Sequence, residues 1–129
     1  MCYYQDVNKK DWTLLAISLS REQGLSPVQI QKALFLLGKE LPQAINGPFY
    51  EFVPHNYGPF SKEIYEDAEG LAEQGMVAVA RRPGRGFLEY YPTSFGDHQL
   101  GELKRRADPV AVAYLEKAVN WVQSARLPA

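Results

Sequence analysis

The sequence has a single cysteine, few histidines and no excess of charge of either sign. Cys2 stands alone, so an internal disulfide cannot form, which fits a reducing compartment. Fourteen basic residues against fifteen acidic residues give a net charge of −1, so the strongly basic composition of many nucleic-acid binders is absent. No apolar run approaches the roughly 18 residues of a membrane span, and the N-terminus lacks the pattern of a signal peptide. We therefore expect a cytoplasmic protein that does not contact a membrane.

The sequence also lacks the short motifs that carry catalysis. It contains no Walker loop and no GxSxG, HExxH or GxGxxG pattern. His55, His98 and Cys2 do not have the spacing of a zinc site. We interpret both histidines as polar surface residues, and we expect neither an enzyme nor a metal or cofactor site.

What the sequence does contain is a series of strong helix signals within a length typical of one domain, residues 1–129. Asn8 is a suitable N-cap for a first helix with one inward apolar face. Ser26, Pro27 and Gln29 combine an N-cap, a first-position proline and a capping box at the start of a second helix. That second helix is apolar on most sides as far as Pro42, a pattern typical of a central helix.

The middle of the chain alternates short strands with one further helix. Phe49–Val53 is a strand candidate, and the following Pro54 favours an edge position. A third helix is predicted from about Pro59 to Gln74, with Gly75 as its stop signal.

A β-hairpin over about 76–92 follows the third helix directly and turns through Arg81-Arg82-Pro83-Gly84-Arg85-Gly86. Two more helices, about 94–107 and 109–125, complete the chain. These elements predict a mainly helical α+β domain of the winged helix-turn-helix type, with the hairpin as its wing and two extra C-terminal helices.

Two stretches resemble known families. Residues 71–96 are similar to the wing region of bacterial winged-helix proteins through Leu71, Gly75, Met76, Val77, Tyr90, Thr93 and Gly96. Residues 30–37, 49–52 and 57–65 resemble small uncharacterised winged-helix proteins of bacteria and archaea and, more distantly, the SocA-like (Panacea) antitoxin domain. The resemblance implies a winged-helix fold and binding of a partner protein, and it implies no catalytic residue.

The motif Tyr57-Gly58-Pro59 has a physical explanation that does not require a ligand. Gly58 permits a backbone conformation that other residues resist, and Pro59 fixes the φ angle of a helix start. Tyr57 is expected to pack the turn against the second helix. We interpret the motif as architecture.

The charge of the third helix argues against the usual mode of DNA binding. In that mode the third helix enters the major groove and presents basic and amide side chains. Residues 60–74 instead carry one lysine and five acidic residues, a local net charge of −4, which phosphates would repel. The acidic face is either a solvated surface or a partner-binding face, and both interpretations stay open. Its residues are Glu63, Glu66, Asp67, Glu69 and Glu73.

Two basic clusters keep a DNA-binding regulator as the alternative function. Arg81, Arg82 and Arg85 place three positive charges in the hairpin turn, from which arginines can reach a minor groove or a phosphate backbone. Lys104, Arg105 and Arg106 form a second cluster at the end of the fourth helix. Surface turns also carry arginine for solubility, so the clusters alone do not decide between the two functions.

The last helix, 109–125, has more apolar surface than one core contact requires. One stripe contains Val112, Leu115, Val119 and Val122, and another contains Tyr114, Ala118 and Trp121. Either both stripes are buried within the domain or one of them forms a homodimer or partner interface.

Overall fold

The computed structural model describes residues 7–45, 48–55, 58–81 and 88–124. Within these ranges the chain is α+β and mostly helical, with five α-helices and two antiparallel hairpins. The helices are α1 (Lys9–Leu19), α2 (Pro27–Glu40), α3 (Lys62–Glu73), α4 (Ser94–Arg106) and α5 (Pro109–Ser124). The strands are β1 (Val53–His55), β2 (Gly58–Phe60), β3 (Val77–Arg81) and β4 (Leu88–Pro92).

Both predicted N-caps are confirmed. The Asn8 side chain accepts a hydrogen bond from the amide of Asp11 at 2.9 Å, and Asp11 reciprocates by accepting from the Asn8 amide. Ser26 and Gln29 form the predicted capping box at the start of α2. Such caps satisfy helix amides that would otherwise have no partner.

The most completely buried helix is α1, which the sequence does not single out. Every residue from Trp12 to Leu19 is buried, because α2, α3, α4, α5 and the β3–β4 hairpin all pack around this short helix. Its sequence predicts only one inward face, because Thr13 and Ser18 are polar. Helix α2, expected to be central, contributes Ile30, Leu34 and Leu37 to the core and leaves Phe35 and Leu36 partly exposed.

The strand predicted at Phe49–Val53 was placed too early in the chain. Only Val53 belongs to β1, which pairs with β2 so that Pro54 lies opposite Pro59. Tyr50 instead points into the core, where it is 5% exposed. Pro59 lies in β2 and does not start α3, because the chain stays extended through Ser61 before the helix begins at Lys62.

The β3–β4 hairpin lies where it was predicted and is joined to the segment between α1 and α2. Leu25 forms two backbone hydrogen bonds with Tyr90, of 2.9 and 2.8 Å. Leu25 thereby adds a one-residue third strand to the edge of β4 that does not pair with β3. The helices that flank Leu25 are therefore fixed to the base of the hairpin.

The two C-terminal helices end within about one residue of their predicted limits. Thr93 caps α4 by accepting from the Gly96 amide at 3.0 Å, and its hydroxyl also lies 2.8 Å from the Gly75 carbonyl oxygen. Helix α5 packs along α2. The buried apolar residues of all five helices form one core cluster. Among the described residues, no helix has both the length and the apolar character needed to cross a bilayer.

Candidate functional site

Two of the five acidic residues predicted as partner-binding are held by the fold. The Lys9 ammonium group lies 2.6 Å from a Glu63 carboxylate oxygen. Asp67 accepts a hydrogen bond of 2.5 Å from the Tyr50 hydroxyl. Both contacts tie α3 to elements that come earlier in the chain, so we assign Glu63 and Asp67 a structural role.

Tyr50 is the centre of a small buried polar network. Its hydroxyl donates to Asp67 and lies 2.7 Å from the Thr13 hydroxyl, which can donate to it in turn. Burial raises the pKa of Tyr50 far above its ordinary value of 10.0, and the hydrogen bond to Asp67 raises it further. The phenol therefore stays protonated and joins α1, α3 and the segment before β1.

The remaining acidic residues form a continuous exposed strip along α3. Glu66, Glu69 and Glu73 follow one another at spacings of three and four, which places them on one side of the helix. We call these three residues the acidic strip. Lys62 precedes Glu66 by one turn, and Lys10 packs beside Gly70, so lysines reduce the negative charge of this side without cancelling it.

The β3–β4 hairpin turns one face towards the acidic strip. Helix α3 packs against β3, and the pKa of Tyr90 is raised by burial and then by the negative charge of Glu69. Val79 is paired directly opposite Tyr90, and Leu88 precedes Tyr90 by two residues, so all three side chains lie on this face. Val79 and Leu88 remain 39% and 38% exposed. The acidic strip, Val79 and Leu88 together make up what we call the α3–hairpin surface.

The described part of the predicted basic clusters is exposed but partly neutralised. Arg81 ends β3 on the surface, opposite Leu88, whereas Arg82 and Arg85 lie outside the described residues. Lys104 and Arg105 are exposed on the last turns of α4.

Glu102 accounts for part of that neutralisation. It forms an ion pair with Arg105 and lies 3.8 Å from the Nε atom of Arg106. The α4 cluster therefore presents less positive charge than its sequence indicates.

The Tyr57-Gly58-Pro59 motif is described only in part, because Tyr57 lies outside the described residues. Gly58 has a φ of +113°, which confirms that this position uses the conformational freedom of glycine. A residue that the sequence analysis missed fixes the end of this segment. The Gln31 side chain accepts from the Ser61 amide at 2.8 Å and donates to the Ser61 carbonyl at 2.9 Å.

The Gln31 side chain bonds to both backbone groups of Ser61, as a neighbouring β-strand would, and so links α2 to the start of α3. Gln31 is 3% exposed and Ser61 is 5% exposed, so both backbone groups of Ser61 obtain partners that water does not supply. One signal in the sequence could have revealed it, since Gln31 is a polar residue on the apolar side of α2.

Helix α5 buries most of its first apolar stripe and part of its second, in which Ala118 is 5% exposed. Leu115, Val119 and Val122 are buried in the core, whereas Trp121 of the second stripe is 56% exposed. One end of the helix is anchored by Gln29, whose side chain donates to the Val122 carbonyl at 3.1 Å.

The described residues include no group of three or more metal-ligating side chains close enough to share an ion. The imidazole of His55 stacks on Phe60 with ring centroids 5.0 Å apart, and His98 is exposed on α4. Comparison of the chain with protein-family models, curated proteins and solved structures finds no match.

Proposed function

We propose that this chain is a non-catalytic binding module with a winged-helix fold, of the antitoxin-like or adaptor kind, whose α3–hairpin surface binds a partner protein. The order of elements supports the fold. A helix, a one-residue strand at Leu25, two helices and a hairpin follow one another, and Leu25 pairs with the hairpin. The β1–β2 hairpin is then an insertion before the third helix, and α4 and α5 are additions.

The observation that carries the function is the combination of charge and apolar area on one surface. The acidic strip repels phosphates, and the hairpin that packs against α3 carries two exposed aliphatic side chains, Val79 and Leu88. Protein interfaces commonly have an apolar centre with a polar rim. The partner segment that fits this surface is apolar in the middle and basic at its edges.

The test is reversal of the strip at the two positions with no structural contact assigned to them, Glu66→Lys together with Glu69→Lys. We expect the captured amount of the partner to fall at least about tenfold, since like charges across an interface oppose association. The measurement is affinity capture from a cell lysate followed by quantitative mass spectrometry.

A control with the same change in net charge carries Glu22→Lys and Glu51→Lys, both at exposed positions outside α3. The control should capture the same proteins as the native chain. If the Glu66 and Glu69 variant keeps its circular dichroism spectrum and captures every protein in undiminished amount, the proposed function is wrong.

DNA binding through the arginine turn is the second candidate, favoured by the exposure of Arg81 where β3 leads into that turn. Replacement of Arg81, Arg82 and Arg85 by alanine should then abolish a gel shift of mixed duplexes at low salt. For the native chain, log affinity should fall steeply with log salt, and three arginine contacts account for a slope of about 3, because each phosphate contact contributes about 0.9.

Alanine at Arg21, Lys39 and Lys62 removes the same charge from other exposed sites and should leave the gel shift in place. The DNA interpretation is excluded when the native chain shifts no duplex at low salt.

A further inference from the structure

The outer side of α5 carries two large exposed apolar side chains, Val110 and Trp121, and Tyr114 between them is only partly buried against the core. Val110 is 63% exposed and Trp121 is 56% exposed. Tyr114 and Lys117 lie between them at helical spacing, so the four residues share one side of the helix. We call them the α5 outer stripe. The buried side of α5, which includes Leu115, Ala118 and Val122, packs within the domain, and α2 is its main neighbour.

The spacing of the stripe is symmetrical about its own centre. Its four positions are separated by four, three and four residues, so the pattern reads the same from either end of the helix. Two such stripes laid antiparallel would place Val110 of each copy against Trp121 of the other. A large ring beside a small side chain is the arrangement that lets facing helices interdigitate.

The charges around the stripe are also self-complementary. Gln29 near the start of α2 bonds to Val122 near the end of α5, so the two helices run antiparallel. Glu40 at the end of α2 therefore lies beside the first half of α5. Consistent with this, the pKa of Tyr114 is raised by burial and then by the charge of Glu40. In the antiparallel arrangement Lys117 of one copy faces Tyr114 of the other and comes close to its Glu40.

We propose that two copies of this chain associate through the α5 outer stripe, antiparallel about a two-fold axis that passes between Tyr114 and Lys117. Such an isologous contact forms each interaction twice. Val110 meets Trp121, and Lys117 meets the ring of Tyr114 and the carboxylate of Glu40, which combines a cation–π contact with an ion pair. A second copy of the α5 outer stripe therefore has the apolar, aromatic and charged groups that complement the first.

The expected dimer is weak. The stripe spans eleven residues, about 16 Å at 1.5 Å per residue, which is smaller than the surface of a standard stable interface. A dissociation constant of roughly 10 to 100 μM fits a contact of this size.

The first measurement is sedimentation velocity of the native chain at roughly 5 to 500 μM. The mean mass should rise towards a dimer, and acrylamide quenching of Trp121 fluorescence should fall over the same range. Trp121→Glu should remain a monomer throughout. Phe95→Glu is the matched control, because Phe95 is an aromatic residue with 53% exposure on α4, and it should associate like the native chain.

Exchange of the charges at Glu40 and Lys117 distinguishes loss of this contact from damage to the fold. Glu40→Lys and Lys117→Glu should each weaken association about tenfold, and the double variant should recover it because the pair is re-formed with reversed signs. A native chain that stays monomeric at every concentration, equal behaviour of the Trp121 and Phe95 variants, or no recovery in the double variant each overturns the proposal.

Dimer formation through α5 is independent of partner binding by the α3–hairpin surface. The Glu66 and Glu69 variant leaves α5 intact and should associate like the native chain, whereas Trp121→Glu should retain capture by the α3–hairpin surface.

Discussion

Replacement of Gly96 by alanine is expected to destabilise the fold by about 3 kcal/mol or more. A Cβ atom at Gly96 would lie 2.0 Å from the carbonyl oxygen of Met76. The obstacle is backbone, so it cannot move aside as a side chain would. Relief requires α4 to separate from the start of β3, which also breaks the contact of Thr93 with Gly75.

Gly101 in the same helix is the control for this substitution. A Cβ atom there meets nothing within 4 Å, and alanine is the better helix former by about 1 kcal/mol. Gly101→Ala should therefore raise the thermal midpoint by a few degrees, whereas Gly96→Ala should lower it by roughly 10 °C. Equal midpoints for the two variants, measured by circular dichroism, would show that α4 does not approach β3 in this way.

Gln31→Leu is expected to cost about 1 to 3 kcal/mol, although leucine has a similar size and is common in helices. The loss arises at Ser61, whose amide and carbonyl both bond to the Gln31 side chain in a buried position. Without that side chain, the Ser61 amide remains buried without a partner, and the Ser61 carbonyl keeps only its 3.2 Å hydrogen bond from the Ile64 amide.

The comparison for this variant is Gln43→Leu, which makes the same chemical change at an exposed position before β1. Surface changes of this kind usually alter stability by less than about 0.5 kcal/mol. In urea unfolding, Gln31→Leu should lower the midpoint with little change of slope, and Gln43→Leu should leave the midpoint unchanged. Similar midpoints for both would mean that the Gln31–Ser61 pair does not hold α2 to α3.

The resemblance motifs acquire physical explanations from these contacts. Thr93 and Gly96 match the wing pattern in the sequence, and in the structure Thr93 caps α4 while Gly96 allows the helix to approach Met76. Gln31 belongs to the stretch that resembles small winged-helix proteins, and its role is to fix the segment that follows Gly58 and Pro59. The cap by Thr93 is local, but the approach of Gly96 to Met76 and the pairing of Gln31 with Ser61 are not visible in the sequence, because these partners lie far apart along the chain.

The candidate site was only partly predictable. The sequence predicts all five acidic residues of α3 as candidates for partner binding, whereas the structure divides them into two groups. Glu63 and Asp67 bind Lys9 and Tyr50, and the acidic strip stays exposed. Val79 and Leu88 were predicted as hairpin residues, and only their position relative to Glu69 makes them part of a surface.

The sequence alone determined the structural features that depend on residues close together in the chain. The caps at Asn8 and Ser26, the stop at Gly75, the hairpin and the two C-terminal helices all follow from signals within a few residues, because capping and turn formation are local. The excess of negative charge on α3 was equally fixed by composition.

What only the tertiary structure decided is which surfaces meet. Helix α1 is central although its sequence shows a single apolar face, and Trp121 is exposed although it is the largest apolar side chain of α5. The burial of a side chain depends on elements from distant parts of the chain that pack against it, so no single segment predicts it. The same reason leaves the acidic strip of α3 exposed and brings Glu63 and Asp67 into contact with Lys9 and Tyr50.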